Sequence, residues 1–344
     1  MRRQLASLTD TSGDQLDGSQ IEQLDTVGAL LLDEALTSLA EKTGRPLTLA
    51  GLRSEHQALL DLVRSRREQS GEATAGAGRD GWLVRLGKAT WGKLEQGFAL
   101  LSFIGEAVIA LARLAVNPGR FRWKALFATI ETAGVSALPI VALLSFLMGV
   151  VIAYQGGVQL KTYGANIFIV ELVTLTMIRE LAPLVTAIVV AGRTGSAFTA
   201  QIGTMRVTEE VDALATIGIT PMDLLVVPKL LALMIALPLL TLFADVMSIF
   251  GGMVISLLIL DVSFYEFVTR IPDVVLVTSS FAIGIGKAPI FAAIIALVGC
   301  YQGFQVSGGA DAVGRQTTVS VVQAIFLVIL ADALFSVLFS ALGL

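Results

Sequence analysis

The sequence predicts an all-α integral membrane protein: an interfacial amphipathic helix plus about five transmembrane helices, preceded by a small N-terminal α/β segment. Three observations carry this. The chain is 55% hydrophobic and only 15% charged, whereas soluble domains run about 45–50% apolar and about 25% charged. Several apolar runs reach the roughly 20 residues that a bilayer crossing needs. The charge is also uneven, since 16 of the 24 Lys and Arg precede Ala125. One cysteine, Cys300, and one histidine, His56, remove an internal disulfide, a Cys/His zinc site and a Ser-His-Asp triad from the membrane part. Residues 1–30 are polar and acidic, so no cleavable signal peptide is expected there.

Residues 1–70 read as a soluble segment. "LDTVGALLLDEALTSLAEK" (24–42) has helical spacing, "RPLTLAGL" (45–52) reads as a short strand, and "SEHQALLDLVRSRRE" (54–68) is helical again. Such a unit is too small to bury a core alone and is expected to lean on a partner. The Gly/Ala/Ser composition of 71–81 predicts a linker. In 82–124, Trp91, Leu94, Phe98, Leu101 and Val108 recur at helical spacing beside Arg85, Lys88, Lys93 and Arg113. A basic amphipathic helix of that kind lies along the headgroups, and Glu95 and Glu106 argue against a crossing.

The membrane part follows over 125–344. Spans are expected at Gly134–Ala153, Ile167–Val190, Leu224–Leu260, Val274–Cys300 and Val319–Leu342, the fourth broken by "GIGKAP" (284–289). Basic loops fall at Arg120–Lys124, between the second and third spans, and near Arg315. The opposite loops hold Lys161 and Arg270. The positive-inside rule then puts the N-terminus in the cytoplasm and the C-terminus outside.

Between the second and third spans, "MRVTEEVDALATIGITP" (205–221) predicts a short cytoplasmic helix over 207–218. Thr208 is the expected N-cap, and Glu209 and Glu210 complement the positive end of the helix dipole. Gly218 suits the first position past the end, and Pro221 forbids continuation. Val207, Val211 and Leu214 form one apolar stripe. Upstream, Gly192, Ser196 and Ala200 repeat every four residues, as do Ala191, Gly195, Thr199 and Gly203, and small-residue stripes let helices approach closely in lipid. The short helix is either an ordinary solvated loop or the element that receives force from a soluble motor.

Charges also fall inside the apolar runs: Glu171, Arg179, Glu180, Asp245, Lys287 and Asp332. Each costs at least about 2.5 kcal/mol at the bilayer centre, so such residues face a cavity or a partner. Adjacent helical positions point about 100° apart, so Arg179 and Glu180 are not expected to neutralise each other. Lys287 or a second copy of the chain is the candidate partner. The set reads either as a polar wall or gate on a headgroup path, or as an ion-pair lattice holding a dimer. On the first span Leu143, Phe146, Leu147, Val150 and Tyr154, with Gln155 and Tyr163, are candidates to line a lipid cavity or to pack ordinarily.

"AGRTGSAFTAQIGTMRVTEEVDALATIGITPMDLLVVPK" (191–229) resembles the signature region of the MlaE/YrbE family, permease subunits of ABC-type lipid transporters that work with MCE proteins. "GKAPIFAAIIALVGCYQGFQVSGGADAVGRQTTVSVV" (286–322) is similar to a second block of that family, with Ala312 where the family has a glycine. "LDTVGALLL…LAGLRSEHQALLDLV" resembles the latter half of a STAS domain, without its first strands. The resemblance implies an obligate homodimer, two ATPase subunits below and MCE-protein rings above. The short helix becomes the coupling helix, with Arg206, Glu209, Glu210, Asp212 and Leu214 as its contact set. It also implies phospholipid or a related lipid as substrate, a bacterial inner membrane as location, a periplasmic C-terminus, and a STAS-domain protein as a further partner.

No G-x-x-x-x-G-K-[ST] loop occurs: "VRLGKAT" and "GIGKAPI" lack the register. No cofactor is therefore expected in this chain, with ATP and Mg bound by a partner subunit. Neither metal-ligand spacing nor a nucleophile–base pair supports an enzyme. The basic N-terminal third reads as membrane-surface charge rather than a nucleic-acid site. The rival readings are a secondary transporter driven by an ion gradient through the intramembrane carboxylates, and a non-transporting scaffold displaying the N-terminal segment.

Overall fold

The computed structural model describes residues 15–17, 21, 24–43, 48–74, 82–116, 119, 122–277 and 280–343. Arg120, residues 45–47 of the expected strand and residues 75–81 of the expected linker lie outside that set. The chain divides into two compact units, Met1–Gly92 and Lys93–Leu344.

In the first unit β1 (Gln15–Asp17) pairs in parallel with β2 (Thr48–Ala50), Leu16 opposite Leu49. Parallel strands need a crossover, supplied by α1 (Thr26–Thr43). The Asp25 carboxylate accepts a hydrogen bond from the Gly28 amide at 2.7 Å and so starts that helix. α2 (Ser54–Thr74) packs on α1 through Ala29, Leu60 and Val63, and Arg64 meets Asp33 at 3.0 Å. Both helices stand where the periodicity put them. β1 was not expected, because three residues of "QLD" carry no strand pattern.

The second unit is helical throughout its described residues, apart from short turns. Among the described residues six helices are long and apolar enough to cross a membrane: Leu86–Val116, Trp123–Thr162, Asn166–Val207, Met222–Leu260, Ser280–Phe304 and Ala310–Ala341. The first belongs to α3 (Trp82–Val116). The others are α4 (Trp123–Thr162), α5 (Asn166–Val207), α7 (Met222–Leu260), α9 (Ser280–Phe304) and α10 (Ala310–Ala341). α6 (Glu210–Thr216) links α5 to α7, and α8 (Phe264–Val277) links α7 to α9.

Three expectations are corrected by these boundaries. The fourth span starts at Ser280 rather than Val274, whose residues belong to the separate α8. "GIGKAP" does not break it: α9 runs through Pro289 as one helix, because neighbouring helices tolerate a proline within a bundle. The second span continues helically to Val207 through two π segments, Met177–Leu181 and Ala191–Gly195, and a third π segment, Met222–Val226, opens α7.

α4 and α7 run in the same direction and touch along most of their length. Gly134 faces Ala236, Gly149 faces Ser248 and Gly157 faces Leu260. A methyl group at Gly149 would overlap the Ser248 carbonyl, and one at Gly251 the Phe146 carbonyl, so the pair depends on these close approaches. α5 and α9 meet through the second small-residue stripe. A Cβ on Gly299 would stand 2.9 Å from the Gly195 carbonyl oxygen, and one on Gly303 2.7 Å from Ile202. At the centre of that contact the buried Thr199 hydroxyl lies 2.8 Å from the Gly299 carbonyl and 2.8 Å from the Ser320 hydroxyl of α10. The other stripe faces outward, with nothing within 4 Å of a Cβ built on Gly192.

α3 packs on one end of the bundle. Its Ala107 and Ala110 bury against Ile202, Met222, Val226, Val227 and Cys300, and Phe103 stacks edge-on against Tyr301. Trp91, Leu94, Phe98, Leu101 and Val108 are exposed. The apolar stripe seen in the sequence therefore points away from the protein, and a different face makes the contacts.

Candidate functional site

Two polar constellations stand out. One is an ion network where α5, α9 and α10 meet. Lys287 is fully buried, about 26 Å along α9 from its end at Phe304 at 1.5 Å per residue. Its Nζ lies 2.6 Å from Glu180 Oε2 and 3.1 Å from Asp332 Oδ1, and donates to the Arg179 carbonyl at 3.3 Å. Arg179 Nε lies 3.4 Å from Glu180 Oε1. Among the described residues two cations and two carboxylates meet in one cluster, and such pairing is how charges survive in a low-dielectric interior.

Of the two candidate partners for Glu180, Lys287 and a second copy of the chain, Lys287 is the one that meets it within the chain. That Arg179 also reaches Glu180 corrects the argument from helical angles. Both residues sit in the π segment Met177–Leu181, whose wider turn brings consecutive side chains closer in azimuth than an α-helix does. π segments recur at functional sites. A methyl group on Gly284 would overlap the Ile178 carbonyl, so α9 lies directly against this wider turn.

Glu171 and Asp245 are not part of the cluster. Glu171 pairs with Arg270 of α8 at 3.1 Å. Asp245 is buried on α7, and neither carboxylate oxygen has a hydrogen-bond partner among the described residues; nothing in the structure explains this. Of the lipid-cavity candidates, Leu143, Leu147 and Tyr154 are exposed on the outer face of α4, Val150 is half-buried, and Phe146 packs on Phe250 with ring centroids 5.8 Å apart.

The second constellation is α6 and its entry turn. The α-helix is seven residues long, shorter than the segment expected over 207–218. Its N-cap is Glu209, not Thr208, and Glu209 adopts the left-handed conformation with φ 60°. The Thr208 hydroxyl instead bonds back to the Thr204 carbonyl at 3.1 Å and to Glu210 Oε1 at 3.0 Å, so it extends the end of α5. Gly218, with φ +78°, stops α6 as expected, its amide donating to the Ala215 carbonyl at 3.1 Å. Val211 is buried, Leu214 half-buried, and Arg206 is paired with Asp212. Glu209 and Glu210 are left exposed. α6 is a short anchored helix with a free acidic edge.

The model of the family described as Permease MlaE matches residues 126–338. The chain belongs to the MlaE permease family. A probable ABC transporter permease protein of Rickettsia prowazekii is 36% identical over 206 residues, 60% of this chain and 79% of its own length. One of Synechocystis is 34% identical over 223 residues, 65% of this chain and 84% of its own. The chloroplastic protein TRIGALACTOSYLDIACYLGLYCEROL 1 of Arabidopsis thaliana is 32% identical over 247 residues, 71% of this chain and 68% of its own. As an MlaE-family member the chain is a multi-pass ABC transporter permease, and a permease of that class works with an ATPase partner. The family match spans α5 to α9 and most of α10, and so contains both constellations.

Proposed function

We propose that this chain is the transmembrane subunit of an ATP-driven lipid transporter, acting as a homodimer in a bacterial inner membrane. It moves phospholipid or a related lipid between that membrane and a periplasmic MCE-protein partner, and so maintains lipid asymmetry. The N-terminus is cytoplasmic and the C-terminus periplasmic, following the basic loops. α3 lies in the cytoplasmic headgroup layer. Its bundle contacts fall on Ile202 and on residues 222–231 and 297–304, the two stretches being about 10–14 Å of their helices at 1.5 Å per residue, while its own contacting stretch from Phe103 to Leu114 is longer. A helix crossing beside the bundle would touch its neighbours at every depth. The segment to residue 70 is a STAS-like accessory, open to a STAS-domain protein. Catalysis of ATP hydrolysis, with its Mg, rests with the partner.

The observation that carries this reading is the free acidic edge of α6, held between two long helices by Val211 and the Arg206–Asp212 pair. A rigid, short, charged helix at a bundle's end transmits a push from a docked motor to α5 and α7 together. Glu209, Glu210 and Leu214 would contact the ATPase, with Arg206 and Asp212 fixing their frame. Lipid as cargo is supported by the Arabidopsis relative, whose name refers to a galactolipid. The Glu180–Lys287–Asp332 cluster, with Arg179, would gate the headgroup path. In the dimer, Leu143, Phe146, Leu147, Val150 and Tyr154 would line the acyl-chain cavity, with Glu171 bracing α8 at its outer end.

The test is purification of the tagged chain in mild detergent with mass spectrometry of what accompanies it. An ATPase subunit and an MCE-domain protein are expected in stoichiometric amounts. Reversing Glu209 and Glu210 to Lys should release the ATPase and retain the MCE protein. A clean chain with neither partner, under conditions that preserve other membrane complexes, would refute the proposal.

A further inference from the structure

A cavity of about 740 Å³ opens between the start of α4, the last third of α5 and the start of α7, away from the Lys287 network. It lies at the end of the bundle that carries α6, since Met205 and Leu224 flank it on either side of that helix. Arg122, Arg193 and Lys229 line it, and among the described residues its lining contains no Asp or Glu. Lys229 is 8% exposed, donates to Gln201 Oε1 at 2.9 Å, and stands 5.3 Å over the Phe198 ring. Among the described residues the Arg193 guanidinium reaches only the Thr132 carbonyl, at 3.4 Å. No carboxylate pairs with any of the three among the described residues. Thr194, 4% exposed, also has an unpartnered hydroxyl.

Three cations converging without a counter-charge are costly where water is scarce, and a buried donor left unpaired costs further. The floor is apolar and aromatic, while the rim, at Arg122 and Gln201, is exposed. Exposed Trp123 stands beside the rim, the residue type that marks the headgroup level of a membrane protein. Arg193 belongs to one π segment and Leu224 and Leu225 to another, so both walls are built from widened turns. Such a cavity supplies two charged forks for phosphate oxygens, an ammonium beneath them, and an apolar floor for the glycerol and first methylenes.

We propose that the cavity binds the phosphate headgroup of a net-anionic phospholipid from the leaflet adjoining α6. Arg122 and Arg193 hold the phosphate, and Lys229 and the Thr194 hydroxyl meet its inner oxygens. The proposal rests on the lipid-transport reading and adds to it a second, inner-leaflet lipid site distinct from the Lys287 network.

The experiment is native mass spectrometry of the full-length chain titrated in detergent with phosphatidylglycerol, phosphatidylcholine or inorganic phosphate. Saturable retention of one phosphatidylglycerol per chain is expected, with phosphatidylcholine about tenfold weaker or more, and no displacement by inorganic phosphate. Lys229→Gln combined with Arg193→Gln should weaken phosphatidylglycerol about tenfold or more. Lys229→Arg, which keeps the charge, should retain it and shows that the fold tolerates change there. Equal retention by the double variant would overturn the proposal. Displacement by inorganic phosphate would assign the cavity to a soluble anion. Loss of a co-purified ATPase from the double variant, with lipid retention unchanged, would assign it to an acidic protein partner. The readout is binding, not transport: a chain that retains the lipid but moves none would refute only the transport reading.

Discussion

Replacing Lys287 with Met removes the one ammonium that touches both Glu180 and Asp332 while keeping a long, unbranched side chain. At an effective dielectric of about 20, contacts of 2.6 and 3.1 Å are worth about 6 and about 5 kcal/mol before desolvation is counted. Desolvation offsets most of that, and breaking a buried pair by removing one partner costs about 3–5 kcal/mol net. The Glu180 side chain is 31% exposed, so water recovers part of the loss and about 3 kcal/mol is the better expectation. At about 2–4 °C per kcal/mol, the detergent-solubilised chain should melt about 6–12 °C lower. Glu180→Gln is the discriminating companion. It leaves Lys287 its contacts with Asp332 and the Arg179 carbonyl, so it should lower Tm by only a few degrees. Glu180→Lys places a third cation in the cluster, and should impair lipid transport more than assembly. Thermal unfolding followed by a thiol dye on Cys300, which is buried, reads the first two, and lipid transfer between liposomes reads the third. If Lys287→Met melts with the wild type, the cluster is not the electrostatic keystone described here. If Glu180→Lys transports normally, the network holds the fold and does not gate.

Two further outcomes follow from local geometry. Thr199→Val keeps the shape at the α5–α9–α10 junction but strands the Ser320 hydroxyl and removes the extra bond to the Gly299 carbonyl. It should destabilise by about 1–3 kcal/mol, measured by unfolding in detergent, and a neutral result would show that a water replaces the hydroxyl. Glu209→Gly relieves a left-handed non-glycine residue, so it should leave the chain as stable or up to about 1 kcal/mol more so. It should nonetheless lower ATPase retention in pull-downs; unchanged retention would remove Glu209 from the docking edge.

Much of this architecture is legible in the sequence because lipid enforces simple rules. Apolar length marks the spans and Gly218 and Pro221 mark the end of α6, while two small-residue stripes are equally visible and only Ala191–Gly195–Thr199–Gly203 meets α9. What was hidden depends on departures from the regular α-helix. The π segments have no periodic mark, so ideal helical angles set Arg179 and Glu180 apart, and apolar length ends the second span at Val190 rather than Val207. The proline in "GIGKAP" misled because bundle packing overrides a local breaker. Thr208 has the right chemistry for an N-cap, but it is the C-cap of α5, and the N-cap of α6 falls one residue later, at Glu209. The cavity of Arg122, Arg193 and Lys229 joins residues far apart in sequence. Its only trace there is that each cation sits near the same end of its own span.

The most direct test of the account is ATP-driven lipid movement by the purified chain with its ATPase and MCE partners. The complex would be reconstituted in liposomes carrying a fluorescent phospholipid, and transfer to acceptor liposomes followed with and without ATP. The account predicts transfer that requires ATP, is unaffected by collapsing ion gradients, and is lost when Glu209 and Glu210 are reversed to Lys. Transfer that runs without ATP and stops when the proton gradient is dissipated would contradict it, and would make Glu180, Lys287 and Asp332 a proton relay instead.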